Sequence, residues 1–438
     1  MSTTLATPSH ELATIYRKIN WRILSLLTLG YVLAYMDRVN IAFAKLQMQQ
    51  DIGISEAVYG LAAGILFLGL MLFAVPSNLL LLKIGARKTF SRIMILWGFT
   101  SAAMLFVHDA YSFYVLRFLL GAFEAGYFPG VIFYLTYWYS EARTARAISF
   151  IMCAAALAGI TAGPLSTWLM THMTNIWILK GWQWMFLIES LPCIALGLII
   201  FFYLEDTPAQ AKWLSAEEKR LLNADLAQRH VVRPSYQRMH HVFKDKHFYA
   251  MALCYLSFLA GIYAVNFWMP TILREASSAN SVSLTQIGLL SAIPYAVSII
   301  TMIVFGRTSD RYLERRWHTT LLMLISALGL CAMTSNNLII ALISITITTA
   351  GLFTVSVVFW AMASDYLKGK LAAGSIAILD VIGLAGCFLS PVIIGWLKEV
   401  TGSLQMGLFI IAGLVLAGGL AIAVLGPTRQ HTASPSSL

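Results

Sequence analysis

The sequence predicts an all-α polytopic membrane protein, with twelve transmembrane helices in two six-helix bundles. Three observations predict it. Of 438 residues, 59% are hydrophobic and 11% charged, whereas a soluble domain is about half apolar and about a quarter charged. The mean hydropathy is +0.75. Apolar runs of about 20 residues, the length that crosses a bilayer at about 1.5 Å per residue, fill most of the chain. This much apolar surface excludes a soluble enzyme. Unbroken apolar runs exclude a transmembrane β-barrel, whose strands alternate apolar and polar residues.

The elements follow in order. The N-terminus is polar as far as Tyr16 and lacks a cleavable-signal pattern, so helix 1 (22–44) is read as retained. Helix 2 (56–83) stops at Gly85-Ala86-Arg87-Lys88; helices 3 (89–107), 4 (111–139), 5 (146–170) and 6 (183–204) complete the first half. Glu205-Asp206-Thr207-Pro208 ends helix 6 and opens the one long loop, 205–246. Within it, Ser215-Ala216-Glu217-Glu218 fits a capping box that starts an amphipathic surface helix. Helices 7 (247–273) and 8 (285–305) come next, and Gly306 to Arg316 follows as a turn. Helices 9 (319–333), 10 (337–364), 11 (371–397) and 12 (405–425) close the second half. The expected domains are 1–204, the linker 205–246, 247–427, and a Ser/Pro-rich disordered tail, 428–438.

The chain carries 30 Lys+Arg against 20 Asp+Glu, a net charge of +10. In a soluble protein that balance suggests nucleic acid; here the cytoplasmic bias of basic residues accounts for it. With the N-terminus inside, 24 basic residues fall on the inner side and four (Lys45, Lys180, Arg274, Lys398) on the outer. The split places both termini in the cytoplasm and implies no nucleic-acid partner. Cys153, Cys193, Cys254, Cys331 and Cys387 lie in apolar runs without CxxC spacing, so no disulfide framework or metal site is implied.

Both halves carry a basic motif between their second and third helices, the mark of a 6+6 repeat. The second copy reads Gly306-x-x-x-Asp310-Arg311-x-x-x-Arg315-Arg316. It resembles the cytoplasmic signature of the major facilitator superfamily. In the first copy, Gly85 and Arg87 are present but the usual acidic residue is missing. Tyr35-Met36-Asp37-Arg38-Val39-Asn40, the helix 4 run from Arg117 to Gly126, and the run Lys180 to Glu189 together resemble the anion:cation symporter family. Its bacterial members include tartrate-, phthalate-, 4-hydroxyphenylacetate- and sugar-acid-type permeases.

An ionisable side chain at the bilayer centre costs about 2.5–3.5 kcal/mol by insertion scales, so such residues are functional candidates. Arg38 offers a permanently charged planar fork suited to a carboxylate. Asp37 and Glu124 can titrate, since burial and a nearby Arg act oppositely on a carboxyl. Arg117 and Glu124 are seven apart and share a helix face, with Gly121 between them for close approach. The bland alternative is that these charges only hold helices together.

The resemblance implies the same roles: Arg38 binds the substrate anion, Asp37 and Glu124 carry protons, and Arg117 partners Glu124. It also implies substrate contacts from Tyr35, from Asn266 (with Tyr263 and Trp268 nearby), and from Ser356 and Trp360, which share a face at i, i+4. Asp380 stands where the family has Asn, and Leu384 also departs. Asp380 has three readings: a ligand for a substrate hydroxyl, a further proton site, or a silent pair. Glu189, beside Trp182 and Trp184 as interfacial anchors, reads as structural or gating. Asp365 is expected to join Arg307 and Arg311. Gly85, Arg87, Asp310, Arg311, Arg315 and Arg316 are the expected conformational residues.

The sequence therefore points to a monomeric bacterial inner-membrane carrier that imports a small organic carboxylate with protons, without a cofactor. A proton-coupled antiporter exporting a metabolite or drug is the alternative, favoured by Gly159-x-x-x-Gly163-Pro164 in helix 5. The buried Arg38 argues against a cationic drug. A membrane-embedded enzyme would need a nucleophile–base pair or metal cluster at membrane depth, and the sequence offers neither.

Overall fold

The structure is a computed structural model that describes residues 8–174, 176–227, 245–277, 282–367 and 372–427. Lys368, Lys370, Arg429, the tail and the basic residues of the linker between Arg229 and Lys244 lie outside them. All regular elements among the described residues are helical. The first half comprises α1 (Pro8–Ile19), α2 (Ser25–Ile52), α3 (Glu56–Ile84), α4 (Ala86–Ala103), α5 (Ala110–Glu124), α6 (Tyr127–Leu135), α7 (Glu141–His172) and α8 (Gly181–Tyr203). Helix α9 (Ala216–Ala227) lies in the connection. Then come α10 (Lys246–Ala276), α11 (Leu284–Tyr312), α12 (Arg316–Ala332), α13 (Leu338–Tyr366), α14 (Ala372–Thr401) and α15 (Gln405–Leu425). Among the described residues, eleven spans are long and apolar enough to cross a membrane. The twelfth, α12, has 17 residues. The chain is a multi-pass membrane protein with twelve helices in two bundles.

Each predicted span falls on a helix, and four boundaries differ for physical reasons. Helical structure begins at Pro8 and passes through a π turn, Asn20–Leu24, into α2. The polar N-terminal segment hides a buried stripe of Ile15, Tyr16 and Ile19. Tyr16 donates to Asp225 at 2.6 Å and Lys18 to Glu218 at 2.6 Å, so α1 docks on α9. The predicted helix 4 is broken into α5 and α6: Ala125 is extended and Gly126 left-handed at φ +86°. A Cβ at Gly126 would also lie 2.5 Å from Ser77 Oγ. Pro129 sits in the first turn of α6, where its missing N–H costs nothing. The turn expected from Gly306 is mostly the end of α11, which runs to Tyr312 and is capped by Leu313 at φ +50°. Glu314 then accepts from Trp317 N at 2.9 Å and opens α12. The helix expected to end at Val107 finishes in a 3-10 turn, Met104–Phe106.

In the first bundle α2 packs on α7, α3 on α5, and α4 on α8. In the second, α10 packs on α14 and α15, α11 and α12 on α13, and α12 on α15. The bundles meet along α3–α14, α7–α11 and α2–α10. Bonds that tie them run from the middle of α2 toward the ends carrying Lys45, Glu56 and Lys398: Tyr59 Oη donates to Phe267 O at 2.8 Å, and Arg274 to Leu46 O at 2.9 Å. At that end Glu56 accepts from Lys45 at 2.6 Å and from Lys398 at 2.9 Å. Lys398 also pairs with Glu275 at 2.6 Å. This four-residue network spans both bundles beside a cavity of 360 Å³. The counting of basic residues placed Lys45 and Lys398 on one side but gave no sign that they share Glu56.

Candidate functional site

The site lies where α2 and α5 face α10. Arg38, in the middle of α2, donates Nε–H to Glu124 Oε1 at 2.8 Å and Nη1–H to Tyr263 Oη at 3.2 Å. The guanidinium therefore touches both bundles. Glu124 is the last residue of α5, at the break in the predicted helix 4. The break ends the helix where its carboxylate meets Arg38. Glu124 is buried, and its second oxygen has no partner among the described residues.

Asp37 points elsewhere. Successive helical residues are about 100° apart, so its carboxylate faces α4. It accepts from Trp97 Nε1 at 2.8 Å and from Ser101 Oγ. Among the described residues Arg117 makes no hydrogen bond or ion pair to Glu124, the partner that the family resemblance implied. Arg117 is buried, donates to Ala62 O at 3.2 Å, and leaves Nη2 without a hydrogen-bond partner among the described residues. Asp37 and Glu124 both lie within its electrostatic reach, and it forms an ion pair with neither among the described residues. The reason is the close approach of α5 to α3: a Cβ at Gly121 would collide with Leu66 O. Gly121 thus serves helix packing.

Across the interface Asn266 donates to Tyr35 Oη at 2.7 Å and accepts from Tyr295 Oη at 2.8 Å. All three residues are buried. Tyr255 donates to Asp380 Oδ1 at 3.3 Å, stacks on Phe359 at 5.1 Å and meets Trp360 edge-on at 5.3 Å between ring centres. Asp380 lies within electrostatic reach of Arg38. Ser356 turns its hydroxyl back to Phe353 O at 2.6 Å. So Arg38, Glu124 and Tyr263 form one group, Tyr35, Asn266 and Tyr295 a second, and Asp380, Tyr255 and Trp360 a third.

The expected conformational residues form local networks. Arg315 bonds Asp310 at 3.1 Å and Asp365 at 2.9 Å, all within the second bundle. The partner of Asp365 is thus Arg315, where the sequence suggested Arg307 and Arg311. Arg316 donates Nε–H to Ala423 O at 3.1 Å, and Arg311 lies 5.9 Å from the Tyr312 ring. In the first bundle Arg87 N donates to Asp206 Oδ1 at 2.8 Å beside Gly85. Asp206 thus supplies the acidic partner that the first motif lacks, from more than 100 residues away in sequence.

Sequence reasoning missed Asn40, Trp97 and Ser101 around Asp37, and the Lys45–Glu56 pair. Trp182, read as an interfacial anchor, is buried and donates to Asp51 at 2.7 Å. A polar residue one turn from a buried acid was the available signal for Asn40.

The model of the Major Facilitator Superfamily matches residues 27–280 and 275–437. The chain belongs to that superfamily. A putative tartrate transporter of Agrobacterium vitis is 40% identical over 94% of this chain and 91% of its own length. A quinolone resistance transporter of Acinetobacter baumannii is 38% identical over 92% of this chain and 93% of its own. Among solved structures, a bacterial homologue of the human lysosomal transporter Spinster, in an inward-facing and occupied conformation, superposes with a TM-score of 0.77. It is 16% identical and covers 94% of this chain and 98% of its own, a likeness of fold. As a major facilitator of the anion:cation symporter type, the chain is a transporter and not an enzyme.

Proposed function

We propose that this major facilitator imports a small organic carboxylate together with protons by alternating access. The observation that carries the reading is the Arg38–Glu124 pair, set between the bundles and touching Tyr263 of the second. A substrate carboxylate and the Glu124 carboxylate compete for one guanidinium fork. Protonation of Glu124 releases Arg38 to the substrate, and this exchange makes proton and anion binding interdependent. The tartrate-transporter relative supports a hydroxy-acid substrate. The Tyr255–Asp380–Trp360 group supplies a polar, aromatic wall for the far end of such a molecule.

Bonds concentrated toward the Lys45–Glu56 end support a form closed there and open toward the termini. The basic-residue count supports termini in the cytoplasm, the bacterial relatives support a bacterial inner membrane, and the carrier acts as a monomer. The test is uptake of a panel of carboxylates into proteoliposomes under an inward pH gradient. Gradient-driven accumulation of one of them is expected. Equal uptake with and without the gradient sinks the reading. Export by antiport is the second reading, favoured by the quinolone-transporter relative. In this chain Gly159 and Gly163 pack against Tyr295, Gly288 and Ser291 of the other bundle. Reversing the gradient separates the two: antiport export responds with the opposite sign.

A further inference from the structure

Four carboxyls (Asp37, Glu124, Glu189 and Asp380) and two guanidiniums (Arg38 and Arg117) lie within the described spans. Arg38 neutralises Glu124, and Arg117 lies within electrostatic reach of Asp37. Glu189, in α8, has no such cation. Its Oε1 accepts from Ser166 Oγ at 2.7 Å and its Oε2 from Asn40 Nδ2 at 2.9 Å. Among the described residues it forms no ion pair. An ionised carboxylate in that setting is strongly disfavoured.

The amide of Asn40 links Glu189 to Asp37. The same Nδ2 lies 3.4 Å from Asp37 Oδ1. Asn40 is fully buried, and its Oδ1 has no hydrogen-bond partner among the described residues. A primary amide has one donor end and one acceptor end. Between two ionised carboxylates only the donor end is used, which is the arrangement seen here. If either carboxyl is protonated, its O–H can satisfy the acceptor end. The bridge is therefore complete with one proton on the pair and incomplete with none. The titratable groups facing Glu189 are Asp37 from α2 and, on α8 itself, the Cys193 thiol one turn on. α7 presents Ser166, and α4 presents Trp97 and Ser101 to Asp37.

We propose that Glu189 is a proton-carrying residue and that it shares a single proton with Asp37 across the Asn40 amide. When one carboxyl loses the proton the other gains it, so the pair keeps one negative charge opposite Arg117. The transport role rests on the symport reading above; the shared proton does not.

The experiment separates the two. Infrared difference spectra of the purified, reconstituted carrier are recorded across pH for the wild type, Glu189→Gln, Glu189→Asp and Asn40→Leu. The wild type should show a protonated-carboxyl band that titrates. Glu189→Gln should remove it, Glu189→Asp should restore it at a shifted frequency, and Asn40→Leu should split the single titration into two. The pH profile of uptake should move in Glu189→Gln and return toward the wild type in Glu189→Asp. An unchanged band and an unchanged profile in Glu189→Gln overturn the proposal. If Glu189→Gln does not fold, an unsplit titration in Asn40→Leu overturns it instead. Should wild-type uptake ignore the pH gradient, the symport reading fails, and the infrared titration alone decides the shared proton.

Discussion

Arg38 is bound by Glu124, at 2.8 Å from Nε to Oε1, and not by its neighbour in sequence, Asp37. The guanidinium expected to take the substrate anion already holds an anion of the protein. Glu124→Gln removes that competitor while keeping the shape of the protonated acid. A charge-assisted hydrogen bond is worth about 1.5–3 kcal/mol, so substrate binding at neutral pH should tighten by about ten- to 150-fold. Counterflow exchange should persist and pH-driven accumulation should be lost. Calorimetric titration and proteoliposome uptake check both; concentrative uptake by the Gln variant removes Glu124 from the coupling.

Arg38 itself should be sensitive to geometry as well as charge. Arg38→Lys keeps the charge but loses the planar fork that holds Glu124 and Tyr263 together. Substrate affinity should fall about tenfold in Arg38→Lys and further in Arg38→Ala, at about 1.4 kcal/mol per factor of ten. Binding unchanged in Arg38→Ala would show that the anion is held elsewhere.

How far the sequence led is visible in these residues. Hydrophobic runs revealed the membrane class and the succession of helices, because lipid demands long apolar segments whatever their neighbours. The rarity of charge inside those runs singled out Asp37, Arg38, Arg117 and Glu124, and the family resemblance singled out Asp380. Partners were not legible, since pairing depends on contacts between distant segments. The family resemblance implied that Arg117 pairs with Glu124, but where α5 approaches α3 Arg117 hydrogen-bonds Ala62 O instead. Asp206 completing the Gly85–Arg87 turn is a contact of the same kind. The break at Gly126 was legible in principle, with Pro129 three residues on, but the apolar run continued across it.

The Lys45–Glu56–Lys398–Glu275 network should set the balance between conformations. Glu56 holds two ammonium groups, one of them the buried Lys45. Glu56→Gln leaves both without that carboxylate, and removing one partner of a buried pair costs about 3–5 kcal/mol. The variant should melt at lower temperature. A cysteine placed at Gln49, beside the adjoining cavity, should label faster from the side opposite the termini. Labelling at the wild-type rate would mean that the network does not hold this end closed.

Asp310 should act on rate alone. Its side chain is 70% exposed, and its bond to Arg315 at 3.1 Å stays within the second bundle. Exposed ion pairs contribute about 0–1 kcal/mol, so Asp310→Asn should barely change thermal stability. When the carrier closes at the cytoplasmic end, Asp310 and Arg315 are expected to meet the first bundle, so turnover of Asp310→Asn should slow. Transport rates across a substrate panel should fall in parallel. A changed order of preference would place Asp310 on the substrate path.

The last expectation concerns stoichiometry. Asp37 is bound by Trp97 and Ser101 and is free of Arg38, so nothing about the substrate arginine fixes its charge. If Glu124 and the Asp37 side of the site each carry a proton on the loaded carrier, two protons cross with each anion. A monocarboxylate then enters with net charge +1, and an inside-negative potential assists by about 2.3 kcal/mol per 100 mV. A dicarboxylate would cross in a neutral cycle. If Arg117 holds Asp37 ionised throughout, one proton crosses and the monocarboxylate cycle is neutral instead. Clamping the potential with valinomycin and potassium, at zero pH gradient, distinguishes the cases. Monocarboxylate uptake should rise when the interior is made negative. If it ignores the potential, Asp37 and its shell are a fixed countercharge for Arg117, and Glu124 alone couples the proton to the anion.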